Sequence, residues 1–215
     1  MPDPLALPDP ALAARFAGIF AQVPSQDLIA NINCTVGVES FGDLTMPVTR
    51  SDPPNGYLCS PSAAYLDYGA EETRHFTSNP VLRLGLLGLL KSAAPLLRAA
   101  RLDRQVQINN WLFSTCPAPP ISAATAVAMR GRFIASDPDR AIVIRSLNDA
   151  LDSESMAHLA AAGFFLLPAR QIYIADHRAA GKMTKDMRKD RKLLRTSVYA
   201  IVDSNDFAVK DFSRA

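Results

Sequence analysis

Apolar positions along this chain keep to two spacings, and each change from one to the other marks an element boundary. From Gln105 to Ser114, Val106 and Ile108 alternate with polar neighbours, and Trp111, Leu112 and Phe113 add apolar mass. The prolines at Pro117, Pro119 and Pro120 then end what reads as a strand. Helical spacing follows from about Ile121 to Ala135, and Asp137-Pro138-Asp139 is a turn. Ala141 to Ile144 is a short, β-branched, all-apolar run of the kind buried on both faces of a sheet. Asp152 or Ser153 caps a further helix to Ala162, Gly163 closes it, and Phe164 to Ala175 reads as a last strand. Strands alternating with helices in this way predict an α/β fold, with parallel strands joined by covering helices.

Upstream, a proline-rich lead-in gives way at Asp9-Pro10 to a helix through Gln22, with Leu12, Phe16, Ile19, Phe20 and Val23 on its apolar face. Leu28 to Glu39 and Leu44 to Thr49 read as two strands of a hairpin turned at Phe41-Gly42-Asp43. After the turn Asp52 to Gly56, Tyr57 to Cys59 is a short strand that runs into Ser60-Pro61. There a serine cap and a first-turn proline start a helix to Phe76. A second helix spans Pro80 to about Ala100, with a kink expected at Pro95. Its most apolar part, the ten residues Val81 to Leu90, contains Arg83 and is followed by Lys91. A spanning helix needs about 20 apolar residues, so this is expected to be a buried core helix, and no transmembrane segment is expected.

With 215 residues, 48% hydrophobic and 20% charged, the chain can bury one sizeable core. The start, Met1-Pro2-Asp3-Pro4, has neither a basic region nor a continuous apolar one, so no secretory signal is expected and a cytoplasmic location is. Cys34, Cys59 and Cys116 are odd in number and match no metal spacing, and they read as free thiols in a reducing compartment. A net charge of +2 gives no ground to expect a nucleic-acid partner. The charge is unevenly placed, however. Seven cations against Asp186 and Asp190 give Lys182 to Arg195 a surplus of +5, so the remainder carries −3. With Met183, Met187 and Leu194 at helical spacing, this is a basic amphipathic helix, either a solvated face or an anion-contact surface through Lys185, Arg188, Lys189, Arg191 and Lys192.

Motifs that announce their chemistry are scarce. HExxH, GxSxG, GxxxxGK[ST] and GxGxxG are all missing, which removes the commonest readable hydrolase, P-loop and dinucleotide classes. No metal site is expected. His75, His158 and His177 are scattered singles that read as surface or packing histidines. Ser60 stands where a strand end meets a helix start. It is a candidate cofactor-binding residue on that ground, and otherwise a plain cap. Stronger candidates lie near the strand ends, where open α/β sheets bind ligands: Asn109, Asn110, Arg145, Arg170 and Gln171 as substrate-binding groups, or else as a network tethering the strands.

Those residues carry a resemblance. The runs Asn109 to Thr115, Arg140 to Asn148, Pro168 to Tyr173 and Lys185 to Ser197, with Tyr57 to Pro61 and Asn79-Pro80 upstream, resemble the N-terminal half of bacterial GNAT-family N-acyltransferases of the Fem-like, tandem type. The likeness covers roughly residues 30 to 205. It implies a GNAT-like mixed sheet flanked by helices over residues 28–178, after an N-terminal lead-in and helix over 1–27. Residues 179–215 then form a basic helix and tail leading toward a second half that this sequence does not contain. The function implied is transfer of an acyl or aminoacyl group from acyl-CoA, or another activated acyl donor, to a small-molecule or peptide amine. Residues 178–182 approximate a pyrophosphate loop, but Met183 stands in place of its final small residue. In such enzymes the second half mostly supplies the donor pocket, so this chain is expected to be inactive without that half or without self-association. Tyr173 and Asp176 are the proton-accepting groups the resemblance leaves available. The alternatives are a non-catalytic binding module and a truncated gene product, with the basic helix as the contact surface.

Overall fold

The computed structural model describes residues 10–169 and 183–198. The chain divides into two compact units, Met1–Leu167 and Pro168–Ala215. The first is mixed α/β around a four-stranded sheet in the order β1-β2-β3-β4. β1 (Cys34–Phe41) and β2 (Leu44–Ser51) form the expected hairpin, turned at Gly42, whose φ of 60° suits a residue without Cβ. β3 (Gln105–Ile108) pairs antiparallel with β2, and β4 (Ala141–Ile144) pairs parallel with β3. The parallel arrangement expected from the alternating pattern is therefore confined to β3–β4. The crossover between them is α5 (Ala123–Ser136), capped by Ser122, whose side chain accepts from Thr125 N at 3.2 Å.

Residue alternation along β3 decides what each face of the sheet holds. Val106 and Ile108 join Phe41, Met46, Val48, Met129, Phe133 and Leu159 in the main core, beneath α5 and α6 (Ser153–Ala161). Gln105 and Gln107 point the other way and donate to the carbonyls of Cys59 and Leu58. Residues 57–59 consequently form a turn, not the expected strand, because side-chain amides take the carbonyls a strand partner would have taken. On this second face Ile32, Leu58, Cys59 and Leu112 pack with Phe16 and Phe20 of α1 (Pro10–Gln22). The buried stripe of α1 runs through Ala13, Phe16, Ala17 and Phe20, while Leu12 and Ile19 face outward. β1 starts at Cys34 and not at Leu28, because a single turn, α2 (Ser25–Leu28), intervenes, and Ser25 Oγ accepts from Cys34 N at 2.9 Å.

Between β2 and β3 a π-helical stretch, Ala63–Asp67, runs into α3 (Tyr68–Phe76), and α4 (Pro80–Ala99) follows, continuous through Pro95. The expectation of a buried core helix fails for α4. Val81, Leu84 and Leu89 are 76%, 68% and 66% exposed. The two sheet faces are covered by α5, α6 and α1, and among the described elements α4 packs chiefly on α3 and the π-helical stretch. By length and composition, the 18 residues Pro80–Leu97 are enough to cross a membrane, since Ala93, Ala94, Leu96 and Leu97 continue the apolar run beyond Lys91.

Gly163 closes α6 with φ 94°, as its position after the helix predicts. Residues 164–169 are irregular, and the remainder of the strand expected there lies outside the described residues. In the second unit, α7 (Lys185–Thr196) is capped by Thr184, whose hydroxyl accepts from Met187 N at 3.2 Å.

Candidate functional site

Beyond Ile108 the chain leaves the sheet, although the alternating sequence continues. Asn109 takes φ 57°, and Leu112 does the same two residues after Asn110. Ser146, two residues beyond the end of β4, sits at φ 68°. Non-glycine residues in this region are uncommon and cost free energy, and they persist where surrounding bonds hold them. All three lie at or just beyond the C-terminal ends of the parallel β3–β4 pair. The strand expected through Ser114 stops early because asparagine tolerates this conformation and offers the backbone local side-chain partners.

The bonds that hold these turns are specific. Asn109 Nδ2 donates to Pro117 O at 2.9 Å, and its Oδ1 accepts from Trp111 Nε1 at 2.9 Å. Asn110, buried, donates through Nδ2 to Thr49 Oγ1 at 2.9 Å, while its Oδ1 accepts from Leu112 N at 3.0 Å. Arg145 Nη2 reaches the same Oδ1 at 3.4 Å and Phe113 O at 3.1 Å. Ser146 Oγ accepts from Cys116 N at 3.1 Å. The structure thus brings Asn109, Asn110 and Arg145 together as expected, whereas Arg170, Gln171, Tyr173 and Asp176 lie outside the described residues. Among the described residues no carboxylate pairs with half-buried Arg145, and the acceptors it meets there are neutral. Such a guanidinium can still fix a carboxylate, or a carbonyl that gathers negative charge.

The opposite ends of the same strands are closed by paired charge. Arg50 at the end of β2 grips Asp137 with two bonds, at 2.9 and 3.1 Å, and lies over the Phe133 ring at 5.8 Å. Arg50 also reaches Glu39 at 3.4 Å. Arg140 and Arg104 hold Asp52 at 2.7 and 3.0 Å. Burial pushes the Asp137 carboxyl up, but hydrogen bonds from Arg50 and Ser136 outweigh it, and the group stays below the usual carboxylate range. Arg140 depresses Asp52 in the same direction.

At the Ser60 helix start the anion is internal. Ser60 Oγ donates to Asp103 Oδ1 at 2.7 Å and accepts from Ala63 N at 3.1 Å, and Asp103 Oδ1 also accepts from Ser62 N at 2.9 Å. Ser60 is thus a cap whose free amides are already served by a buried carboxylate. His158 Nδ1 bonds Ile121 O at 2.8 Å, a packing role, and His75 is exposed. Lys185, Arg188, Lys189, Arg191 and Lys192 are all exposed on α7, with Lys189 paired to Asp186 at 3.3 Å. No group of three or more potential metal-ligating side chains occurs among the described residues.

Sequence reasoning missed Thr49 and the strained Leu112 and Ser146. An Asn-Asn pair after an alternating run is a turn signal that could have marked the break at Asn109, but Leu112 carries no comparable mark. No protein-family model, no curated protein and no solved structure matches this chain.

Proposed function

We propose that the chain is an N-acyltransferase, or the N-terminal half of one of the Fem-like GNAT type, and that the β3–β4 ends form its acceptor-binding region. The observation that carries this reading is Arg145 beside Asn110, with its charge uncompensated by a carboxylate among the described residues, at strand ends held in strained turns. Acyl transfer needs an amine placed against an activated carbonyl, and most of the rate comes from that placement. Arg145 and the Asn109–Asn110 turn supply fixed polar groups for positioning an acceptor that bears a carboxylate or carbonyl. Tyr173 or Asp176 would take the amine proton, and the donor would be an acyl-CoA or another activated acyl group.

Calorimetric titration with primary amines, including amino acids and short peptides, tests this. Binding is expected to one class of amine and to weaken about tenfold or more in Arg145→Ala, the effect of removing a charged hydrogen-bond donor. Equal affinity in that variant overturns the site. The chain alone is expected to release no thiol from acetyl-coenzyme A, because the resemblance assigns the donor pocket mostly to a second half. Thiol release abolished by changes at Ser60 would overturn that expectation.

A second reading, a binding module, is favoured by one observation: α7 buries none of its residues while carrying Lys185, Arg188, Lys189, Arg191, Lys192 and Arg195. Contact with a polyanion releases counterions, so binding to an oligonucleotide or an anionic vesicle should fall steeply between two ionic strengths. Salt-independent binding, or none, removes this reading.

A further inference from the structure

The sequence places Cys34 and Cys59 far apart, but the fold puts them side by side. Cys34 opens β1 directly opposite Ser51, and Ser51 Oγ donates to the Cys59 carbonyl at 3.0 Å. The Cys34 side chain packs on the cluster that contains Cys59. They differ in access. Cys59 is fully buried, with Asn110 Nδ2 at 3.8 Å from its sulfur, whereas Cys34 is half-buried and lines an open cavity of about 530 Å³ with Ser25, Gln26, Arg50 and Pro53. Their acidities differ too. The neighbouring Cys59 thiol holds Cys34 below the ordinary thiol range, and the proximity of Cys34 together with burial pushes Cys59 up. One sulfur is therefore the more reachable and the more acidic of the pair, and the other lies buried beside it.

We propose that Cys34 and Cys59 form a peroxide-responsive dithiol, in which Cys34 is oxidised first and Cys59 closes an intramolecular disulfide. In the first step the Cys34 thiolate attacks one peroxide oxygen, the O–O bond breaks and hydroxide leaves, giving Cys34 sulfenic acid. In the second step Cys59 sulfur attacks the Cys34 sulfur, the S–O bond breaks, and the departing hydroxyl leaves as water with the Cys59 proton. Two thiols and one hydrogen peroxide thus become one disulfide and two waters. In a reducing compartment the pair rests as thiols. The product would tie the first residue of β1 to the turn that Gln105 and Gln107 hold, next to Asn110. Nothing in this assignment depends on the acyltransferase reading.

Treatment of the full chain with stoichiometric hydrogen peroxide tests it. The expected result is a loss of about 2 Da, a peptide map joining Cys34 to Cys59, and full reversal by dithiothreitol. Cys116→Ser should behave like the unaltered chain. Cys34→Ser should lose no mass and leave Cys59 untouched, and Cys59→Ser should accumulate a dimedone-trappable sulfenic acid on Cys34. Should Cys59→Ser fail to fold, the peptide map of the unaltered chain and the Cys34→Ser result still decide. A principal product that contains Cys116, a link between two chains, Cys34 oxidised without a disulfide in the unaltered protein, or no reaction under conditions that oxidise free glutathione would each overturn the proposal.

Discussion

The two ends of the β3–β4 pair are built to opposite rules. At the N-terminal end Arg50, Arg104 and Arg140 meet Asp137 and Asp52 in short ion pairs, and Arg101, four residues before β3, is the positive-φ residue nearby. At the C-terminal end Arg145 meets only neutral oxygens among the described residues, and Asn109, Leu112 and Ser146 all hold positive φ. One end spends its charges on each other and fixes strand register. The other leaves Arg145 without a carboxylate partner among the described residues, on a backbone held by buried asparagine bonds.

The contrast predicts unequal responses to losing an ionic group. Asp137→Ala leaves Arg50 with the longer Glu39 contact in place of its two-bond grip and is expected to cost about 2–4 kcal/mol, read as a lowered urea midpoint at unchanged m. Among the described residues Arg145→Ala removes hydrogen bonds to Asn110 and Phe113, and it should cost about 1 kcal/mol. Equal losses would erase the distinction between the two ends.

Acid sharpens the same comparison. Asp137 and Asp52 have folded values below their unfolded ones, so their stabilisation is complete above the unfolded carboxylate range, about pH 4. It is lost as pH falls further, through the depressed folded values. The unaltered chain should therefore lose stability on acidification below about pH 4 more steeply than Asp137→Ala, whereas Arg145→Ala should follow the unaltered slope. Parallel slopes for the unaltered chain and Asp137→Ala would show that the pair is not what acid breaks.

The smallest expected effect isolates strain. At Ser146 both Ala and Gly lose the bond to Cys116 N, but only Gly relaxes at φ 68°. Ser146→Gly should therefore be the more stable of the two by about 1 kcal/mol, in chemical denaturation. The reverse order would mean that the turn stores no strain.

How much of this was legible beforehand follows from the range of the forces involved. Local periodicity placed α5, β4, α6 and, apart from the start of β1, the hairpin, because each buries one face against a neighbour the chain supplies within a few dozen residues. It failed at α4, where an apolar run says nothing about whether a surface is left to receive it. It also failed at Asn109, where side-chain bonds to Pro117 and Trp111 outcompete a ladder that Trp111, Leu112 and Phe113 would otherwise have continued. The meeting of Asn110 with Arg145 was foreseeable from strand ends alone. The meeting of Cys34 with Cys59 was not, since it depends on how β1 and the 57–59 turn fold back on the same face of the sheet.

Asp103, described above as the internal anion of the Ser60 helix start, has one more consequence. It is a ligand tethered to its own site, present there at an effective concentration that short tethers set at millimolar or higher. A dissolved phosphate would have to outcompete it while also meeting its negative charge at close range. Asp103→Asn would remove the charge, leave much of the geometry, and turn a self-saturated helix terminus into one open to inorganic phosphate. The position that most resembles a cofactor cradle in the sequence is thus one the chain has filled with its own side chain.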